Sequence, residues 1–390
     1  LPADKSQLTS EVKMNLDHKN YLFDAGMTAY ETLKGSDSDR YQYILPYYNF
    51  SKKLISNKLL SLDFESNGNN SYQNTNNLKS EITNNFDFRS IDFISNNGFK
   101  NNFGVYFKNV NTVGKNDNKY KSSPQVELMN IINLESSLPL IKESEEYTKS
   151  ITPKISFRIN PTDMRNYSDA DRQINMDNIF SINRLAISDT YEEGKSLTIG
   201  IDYKKQTIQE INKYFELNLA TVLRDVKQDR IPIKSTLGEK QSNLFGSSTY
   251  KFSELISMNY DFAIDNDFQT FEYNSLGTQF NFKNFITNFD FVETNGKMGD
   301  TNFIENSSTL RFNNDNQLTF STRRNRKINL TEYYDLVYEY KNDCLVAGIK
   351  YKKTYYKDRD LIPAEDLFFS VTLFPLTQYE QKVDQGLYGN

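Results

Sequence analysis

The residue types most often used for catalysis and metal binding are scarce in this chain. Its 390 residues include one histidine, His18, and one cysteine, Cys344, far apart in sequence. A zinc site of Cys and His ligands needs several such residues, and an internal disulfide needs a second cysteine. Both are therefore excluded. Counting alone leaves open a metal site made only of carboxylates, or a catalytic pair of carboxylates.

Covalent catalysis normally requires a nucleophile with a base beside it. His18 lies in the polar segment 15–20, and the sequence has no G-x-S-x-G string. It also has no G-x-x-x-x-G-K-[ST] loop, which would hold nucleotide phosphates. We therefore predict that the chain is not an enzyme and uses no cofactor. Energy for any transport would come from partners.

Charge and hydropathy narrow the choice of partner and compartment. The formal net charge is -5, which argues against a surface that neutralises many phosphates, so nucleic acid is not an expected partner. The sequence has no run of 18 apolar residues of the kind that spans a membrane as a helix. It begins at Leu1 without a basic and apolar leader, so we expect a mature product or a fragment.

The elements that must position any site are predicted from a period of two. In segment 196–203 the apolar residues Leu197, Ile199, Ile201 and Tyr203 alternate with Thr198, Gly200 and Asp202. Alternation of this kind is typical of a strand with one apolar face. The pattern recurs along the chain, for example in Ile155, Phe157 and Ile159. No stretch of comparable length has helical spacing.

Polar clusters separate these strands, for example 67–70 and 313–316, which are rich in Asn, Asp and Gly and favour turns. At about 20 residues for each strand with its connection, the length accommodates roughly 20 strands of the size that crosses a membrane. That number is too large for an ordinary sandwich, and a long open sheet would have vulnerable edges.

Both a soluble sandwich and an outer-membrane barrel give one apolar and one polar face. The 28 Phe and 26 Tyr, without Trp, favour the barrel, because rings gather at membrane boundaries. We therefore predict an all-β fold, a large antiparallel outer-membrane β-barrel with roughly 20 strands. The predicted wet, inward side chains include Asn160, Asp202, Asn218, Asn288, Asp290, Asp335, Glu339 and Ser370.

The connections near the C-terminus alternate in length. We predict a tight turn over Lys341–Asp343 and longer loops over Arg324–Leu330 and Tyr355–Glu365. Barrels of the outer membrane have short periplasmic turns and longer extracellular loops. The turn is therefore predicted to be periplasmic and the two loops extracellular.

No domain boundary interrupts the series of strands. We predict one barrel portion over residues 1–375 and a polar tail over 376–390. The largest interruption is the polar stretch 160–176, which we interpret as a long loop between two strands.

Several strings resemble the barrel of the LPS-assembly protein family LptD, the outer-membrane translocon for lipopolysaccharide. They occur in the order and at the spacing of that family, over Asp39 to Val371. They are Asp39-Arg40-Tyr41 with Pro46; Pro153 with Arg158; Asn178-Ile179-Phe180 with Asn183-Arg184, Asp189 and Gly194; Tyr338-Glu339-Tyr340-Lys341-Asn342-Asp343-Cys344; Asp358-Arg359-Asp360; and Leu367-Phe368-Phe369-Ser370-Val371.

The resemblance implies a protein of the Gram-negative outer membrane that inserts lipopolysaccharide into the outer leaflet through a polar lumen and a lateral gate. Its implied partners are lipopolysaccharide, a lipoprotein plug of the LptE type, and periplasmic bridge proteins that bind an N-terminal jellyroll domain. We expect that domain and the first strands to be missing before Leu1. The last strand, with Leu367, Phe369, Val371 and Leu373 on one face, would form one side of the gate.

Cys344 departs from the pattern of the family, in which the equivalent turn commonly carries adjacent cysteines that form disulfides with the N-terminal region. Here Asp343 and Leu345 flank a single thiol. Two states stay open: a disulfide to the missing N-terminal region in the oxidising periplasm, or a reduced cysteine at a strand start.

Two other functions share the alternation. A general porin or a plugged outer-membrane transporter would have the same alternation and aromatic girdles, so only the strings given above and the context of the last strand argue against it. A surface-exposed β-rich adhesion or structural protein would have to match the loop asymmetry by accident. Detergent partition and heat-modifiable gel migration separate the membrane barrels from this last class.

Overall fold

The polypeptide forms a single antiparallel sheet in which each long strand pairs with the next. The structure is a computed structural model and describes residues 7–32, 41–73, 76–355, 364–373 and, by their backbone, 377–383. Within those residues the sheet has 22 strands. They are β1 Gln7–His18, β2 Tyr21–Thr32, β3 Tyr41–Ser56, β4 Leu60–Gln73, β5 Asn77–Ser90, β6 Phe93–Ile94, β7 Lys100–Lys115, β8 Gln125–Ser137, β9 Leu140–Glu143, β10 Tyr147–Asn160, β11 Gly194–Thr207, β12 Tyr214–Arg224, β13 Leu244–Lys251, β14 Ile256–Ile264, β15 Phe271–Phe282, β16 Phe285–Thr294, β17 Thr301–Arg311, β18 Asn316–Asn325, β19 Leu330–Lys341, β20 Leu345–Thr354, β21 Ala364–Leu373 and β22 Thr377–Val383.

The predicted all-β antiparallel fold is confirmed. The short strands β6 and β9 lie beside β7 and β10, so the main ladder runs from β5 directly to β7 and from β8 directly to β10. Two single-turn 3-10 helices, Ile233–Ser235 and Gly296–Met298, lie in connections. None of the helices in the described ranges combines the length and the apolar character that crossing a membrane requires.

The two faces of the sheet are inverted relative to a soluble protein. On β10 the apolar Ile155 and Phe157 are exposed, at 48% and 37%, whereas the polar Ser156 and Arg158 are each 5% exposed. Ile199 and Ile201 of β11 are exposed in the same way. In a water-soluble protein this arrangement would leave an apolar surface in water, but in a bilayer it places that surface against lipid. The exposed apolar face is the outward face, and the other is the inward face.

Rings gather on the outward face near one end of the strands. Tyr203, Phe215 and Tyr250 lie on β11, β12 and β13, with ring centroids 6.1 and 6.0 Å apart. A second row crosses β3, β4, β5 and β7 through Phe50, Phe64, Phe86 and Phe107. Such rows are typical of the aromatic girdles of outer-membrane barrels.

The connections differ between the two ends of the sheet. One end, called the short end, carries tight turns such as 19–20, 283–284 and 342–344. The other, called the long end, carries the connections 116–124, 161–193 and 225–243. The long connections in the middle of the chain fit the predicted alternation, but the pattern predicted near the C-terminus does not hold, because 326–329 is as short as the short-end turn 312–315. The loop predicted over Tyr355–Glu365 falls mostly outside the described residues. The turn at 326–329 is tighter than the loop we expected over Arg324–Leu330, because β18 continues to Asn325.

Two predictions about loops and ends need correction. The loop expected over 160–176 begins after Asn160, which is part of β10, and continues to residue 193. Residues 377–383, expected within a polar tail from 376, form β22 and pair with β21 from Leu373 to Leu367. Alternation of polar residues with few apolar ones did not indicate a strand there. Strand β21 is therefore not the last strand.

Candidate functional site

The connection between β10 and β11, residues 161–193, folds against the inward face, and we call it the lumenal segment. Gly194, with φ +81°, returns the chain from this segment into β11, a backbone conformation that favours glycine. Nearby, a Cβ on Gly200 would lie 2.8 Å from the Phe180 ring. The absence of a side chain at Gly200 therefore lets the segment approach the wall.

The lumenal segment has its own apolar core. Met164, Ile174, Ile179, Leu185 and Ile187 are each at most 5% exposed. They pack against inward side chains of β12, β13 and β14 and against the connection 225–243. The residues contacted are Ala220, Val222, Phe245, Ala263, Ile231 and Leu237. The burial of these apolar side chains stabilises one position of the segment against the wall.

The segment also reaches strands on both sides of its own position in the sheet. It is linked to β5 through Tyr120, whose hydroxyl lies 2.6 Å from a carboxylate oxygen of Glu81 and 3.1 Å from one of Asp189. Gln173 donates to the carbonyl of Met298, between β16 and β17, at 2.7 Å. The sheet curves around the segment, so the inward face encloses a lumen.

Three buried arginines converge on one buried carboxylate. Arg184 of the segment donates two hydrogen bonds to the Glu192 carboxylate, at 2.7 and 2.5 Å, in a bidentate pair. Arg224 of β12 contacts the same carboxylate. Arg158 of β10 lies 3.9 Å from it. The side chains of all four are at most 6% exposed. We call these four residues the arginine cluster.

The cluster attaches the segment to three strands. Arg184 donates to Ser196 and Thr198 of β11, at 3.0 and 3.1 Å. Arg224 donates to the carbonyl of Glu193 at 2.8 Å. Three guanidinium groups against one carboxylate leave two formal positive charges in a buried place. The Nε of Arg158 has no hydrogen-bond partner in the described part of the chain.

A second buried carboxylate, Asp189, attaches the other side of the segment. It accepts from Arg165 at 3.2 Å and from Tyr167, and it pairs with Lys119 of the connection 116–124 at 2.8 Å. Burial alone would raise the pKa of Asp189, but the hydrogen bonds from Lys119 and Tyr167 outweigh it and hold the pKa below its usual value. Asp189 is therefore ionised at neutral pH.

The rest of the wall is polar and paired across strands. Lys154 of β10 contacts Asp202 of β11 at 2.8 Å, and Tyr333 donates to Glu305 at 2.8 Å. In the ranges that the structure describes, no group of three or more His, Cys, Asp or Glu side chains is arranged to hold a metal ion. The arrangement suits a polar route through a barrel.

The structure brings together one group of the predicted residues. Asn178, Phe180, Asn183 and Arg184 all lie in the lumenal segment, and Arg158 faces them from β10. Asn183 stabilises a local turn by accepting from the Ile187 amide and donating to its carbonyl. Of the remaining predicted positions, Asp39, Arg40, Asp358, Arg359 and Asp360 lie outside the described residues.

The two predicted prolines lie where the ladder can spare a donor. Pro46 is part of β3 at a register shift between Ile44 and Tyr47. Pro153 of β10 lies between the stretch that pairs with β9 and the stretch that pairs with β8. Proline has no N–H group, so both positions avoid the loss of a ladder hydrogen bond.

The predicted turn and gate residues lie at the end of the sheet. Cys344 is exposed in the tight turn between β19 and β20, where it was expected. Leu367, Phe369, Val371 and Leu373 share one face of β21, and the last three of them are exposed. The disulfide of Cys344 and the gate stay predictions.

Sequence reasoning missed Glu192, Arg224, Arg165 and Lys119. A signal for their surroundings does exist, because Leu128, Met129, Ile131 and Ile132 of β8 are apolar on both faces. Strands that are apolar on the inward side need something to cover them. That observation predicts a covering segment but does not identify which loop supplies it.

A family model described as LPS transport system D, LptD, matches residues 3–314 of the chain. The comparison with curated protein sequences gave no match.

Solved structures of similar shape include three receptors. A mutant of the ferric enterobactin receptor PfeA from Pseudomonas aeruginosa has a TM-score of 0.48 and 8% identity, over 98% of this chain and 73% of its own. The siderophore receptor PirA from Pseudomonas aeruginosa has a TM-score of 0.49 and 8% identity, over 95% of this chain and 72% of its own. The ferric-catecholate import receptor Fiu from E. coli K12 has a TM-score of 0.47 and 10% identity, over 98% of this chain and 76% of its own. Similarity at this level carries no inference about what is bound.

Proposed function

The chain belongs to the LptD family, LPS transport system D, and from that premise we propose that its barrel inserts lipopolysaccharide into the outer leaflet. Membership places the chain in the outer membrane of a Gram-negative bacterium and in lipopolysaccharide transport. The finer proposal concerns the route, which runs through the polar lumen and leaves by a lateral gate. The observation that carries it is the inverted sheet, apolar outward and polar inward.

The two faces match the two parts of the cargo. Lipopolysaccharide has anionic sugars, which hydrocarbon excludes, and acyl chains, which water excludes. Polar inward pairs such as Lys154 with Asp202 offer the sugars a wet wall. Outward residues such as Ile155 and Phe157 hold the barrel in lipid. A lateral exit is needed because the acyl chains must reach the bilayer without crossing water.

The proposed orientation follows from the connections. Outer-membrane barrels expose their longer loops to the outside, so the long end faces the cell surface and the short end the periplasm. The lumenal segment then closes the lumen from the outside. Cys344, at the short end, lies where a disulfide with an N-terminal region in the periplasm could form.

The gate and partners extend the proposal. With β22 paired to β21, the gate-side face of Leu367, Phe369, Val371 and Leu373 lies one strand inside the sheet end, so β22 takes the place we expected for β21. An LptE-type lipoprotein would fill the part of the lumen that the lumenal segment leaves, and bridge proteins would deliver the cargo from the periplasm.

The test is depletion of the protein in its native cell with complementation by the full gene. Depletion is expected to lower the lipopolysaccharide that is accessible to a surface-modifying enzyme, while the total amount in the cell is maintained. Unchanged surface lipopolysaccharide in depleted cells would overturn the proposal.

A second candidate is a plugged transporter of another cargo, favoured by the lumenal segment itself. A folded segment with a buried core, held by the arginine cluster, would also suit a barrel that opens only for a bound ligand. The depletion experiment separates the two, because loss of such a transporter leaves surface lipopolysaccharide unchanged and abolishes uptake of its own ligand.

A further inference from the structure

A cavity of about 300 Å³ opens on the outward face at the short end. It lies where β10, β11, β12 and β13 end or begin, at the level of the aromatic row of Tyr203, Phe215 and Tyr250. We call it the lysine pocket, and its lining residues are Tyr147, Lys205, Thr207, Lys213, Tyr214, Phe215 and Tyr250.

The strand register places Lys205 outward. Residues on one face of a strand alternate, so Lys205 shares the side of the exposed Ile199 and Ile201. Its direct neighbours across the sheet are Lys149 and Phe215. The adjacent Lys204 faces inward, where it lies 3.8 Å from Glu216.

The lining has two ammonium groups and no carboxylate. The Nζ of Lys205 lies 4.0 Å from the centroid of the Tyr147 ring. Among the described residues neither Lys205 nor Lys213 takes part in an ion pair within 4.0 Å. An aromatic ring compensates only part of the positive charge of an ammonium group beside a bilayer, so the pocket favours an anion.

We propose that the lysine pocket binds the phosphate headgroup of an anionic glycerophospholipid. The two lysines would contact the phosphate, and the rings of Tyr147, Phe215 and Tyr250 would line the glycerol and the first carbons of the acyl chains. Rings with one apolar and one wet edge suit this depth of a membrane. The choice of a glycerophospholipid rests on the proposed orientation, in which the short end meets the periplasmic leaflet.

Native mass spectrometry of the purified full chain in detergent tests the site, with phosphatidylglycerol and phosphate-free diacylglycerol as probes. We expect retention of phosphatidylglycerol and not of diacylglycerol. The double variant Lys205→Gln with Lys213→Gln should weaken phosphatidylglycerol binding by roughly 30-fold, since each lysine near an anionic lipid surface contributes about 1 kcal/mol. Heat-modifiable gel migration checks that each variant is folded.

Lys227→Gln with Lys234→Gln is the matched control, because it also removes two exposed lysine charges, but from the connection 225–243 at the long end. Its binding should equal that of the unchanged chain. Equal loss in the control and the double variant, equal retention of both probes, or preference for lipopolysaccharide over phosphatidylglycerol would each overturn the proposal. These readouts are made on purified protein, so they leave the result of the depletion experiment independent.

Discussion

Glu192 is the residue on which the position of the lumenal segment depends most. Among the described residues it is the one carboxylate within 4.0 Å of the buried Arg158, Arg184 and Arg224. Burying charges is costly, and removal of one partner leaves the others without compensation. Loss of Glu192 therefore affects all three arginines of the cluster at once.

Glu192→Gln is predicted to destabilise the folded segment by about 3 to 5 kcal/mol, since it leaves three buried guanidinium groups without a counter-charge. Limited proteolysis of the segment and urea unfolding measure the effect. Asp229→Asn is the control, because that carboxylate is 87% exposed and lies 3.7 Å from Lys227. Resistance to protease equal to that of the control would contradict the role given to Glu192.

Asp189 gives the segment a pH dependence. Its pKa is lower in the folded chain than when unfolded, so its contribution is complete above the unfolded value of about 3.9 and is lost as the pH falls through the folded value. The protection factors of the lumenal segment in hydrogen exchange, which are corrected for the intrinsic rate at each pH, should therefore fall as the pH is lowered below about 4. In Asp189→Asn that acid-dependent part should be missing. The same acid dependence in the variant would exclude Asp189 as its source.

For individual residues, the sequence predicted functional positions but not their contacts. Arg158, Arg184 and Asp189 were singled out by resemblance, and the structure shows that each is buried in an ionic cluster. Glu192 and Arg224 were missed because a charged residue in a loop or strand is usually solvated. Only the fold brings residues 158, 184 and 224 to one carboxylate.

Strands were the most predictable elements. Alternation over 196–203 and over Ile155 to Ile159 predicted parts of β11 and β10, because a period of two depends only on local geometry. The lumenal segment was not predictable in the same way. Its core forms with inward residues of β12 and β13, which are distant in sequence, so its polar beginning at 160–176 indicated an ordinary loop.

The face assignment predicts two unequal substitutions on neighbouring strands. Ile349 of β20 is outward and 43% exposed, so Ile349→Arg should cost about 2 to 4 kcal/mol if it lies near the midplane of the bilayer. Ser370 of β21 is inward, where it is paired with Gly348. Ser370→Arg should cost less, since it faces the polar lumen. Unfolding from lipid vesicles measures both, and the reverse order would refute the face assignment.

We predict that the lumenal segment keeps the channel closed. Asn160 and Gly194 are directly paired across β10 and β11, so a short Gly-Ser turn can replace residues 161–193. The shortened chain should conduct ions in planar bilayers severalfold better than the unchanged chain. Replacement of the connection 265–270 by the same linker is the control. Equal conductance in all three would show that the segment does not close the lumen.

The composition of the whole molecule follows from its two faces. A chain with 37% hydrophobic residues and 54 Phe and Tyr would be unusual for a soluble core. Each strand needs one apolar face for lipid, and the other face lines a polar lumen. Length alone would have suggested several domains, but the described residues form one sheet that curves around a segment of its own chain.

The proposed route takes lipopolysaccharide through the lumen of this barrel. A photoreactive amino acid placed in living cells at Asp335, inward on β19, or at the adjacent outward Leu336 tests it most directly. We predict crosslinks to lipopolysaccharide from position 335 that disappear when its synthesis is blocked, and far fewer from position 336. Crosslinks from 336 alone, or none from 335 while lipopolysaccharide still reaches the surface, would contradict passage through the lumen.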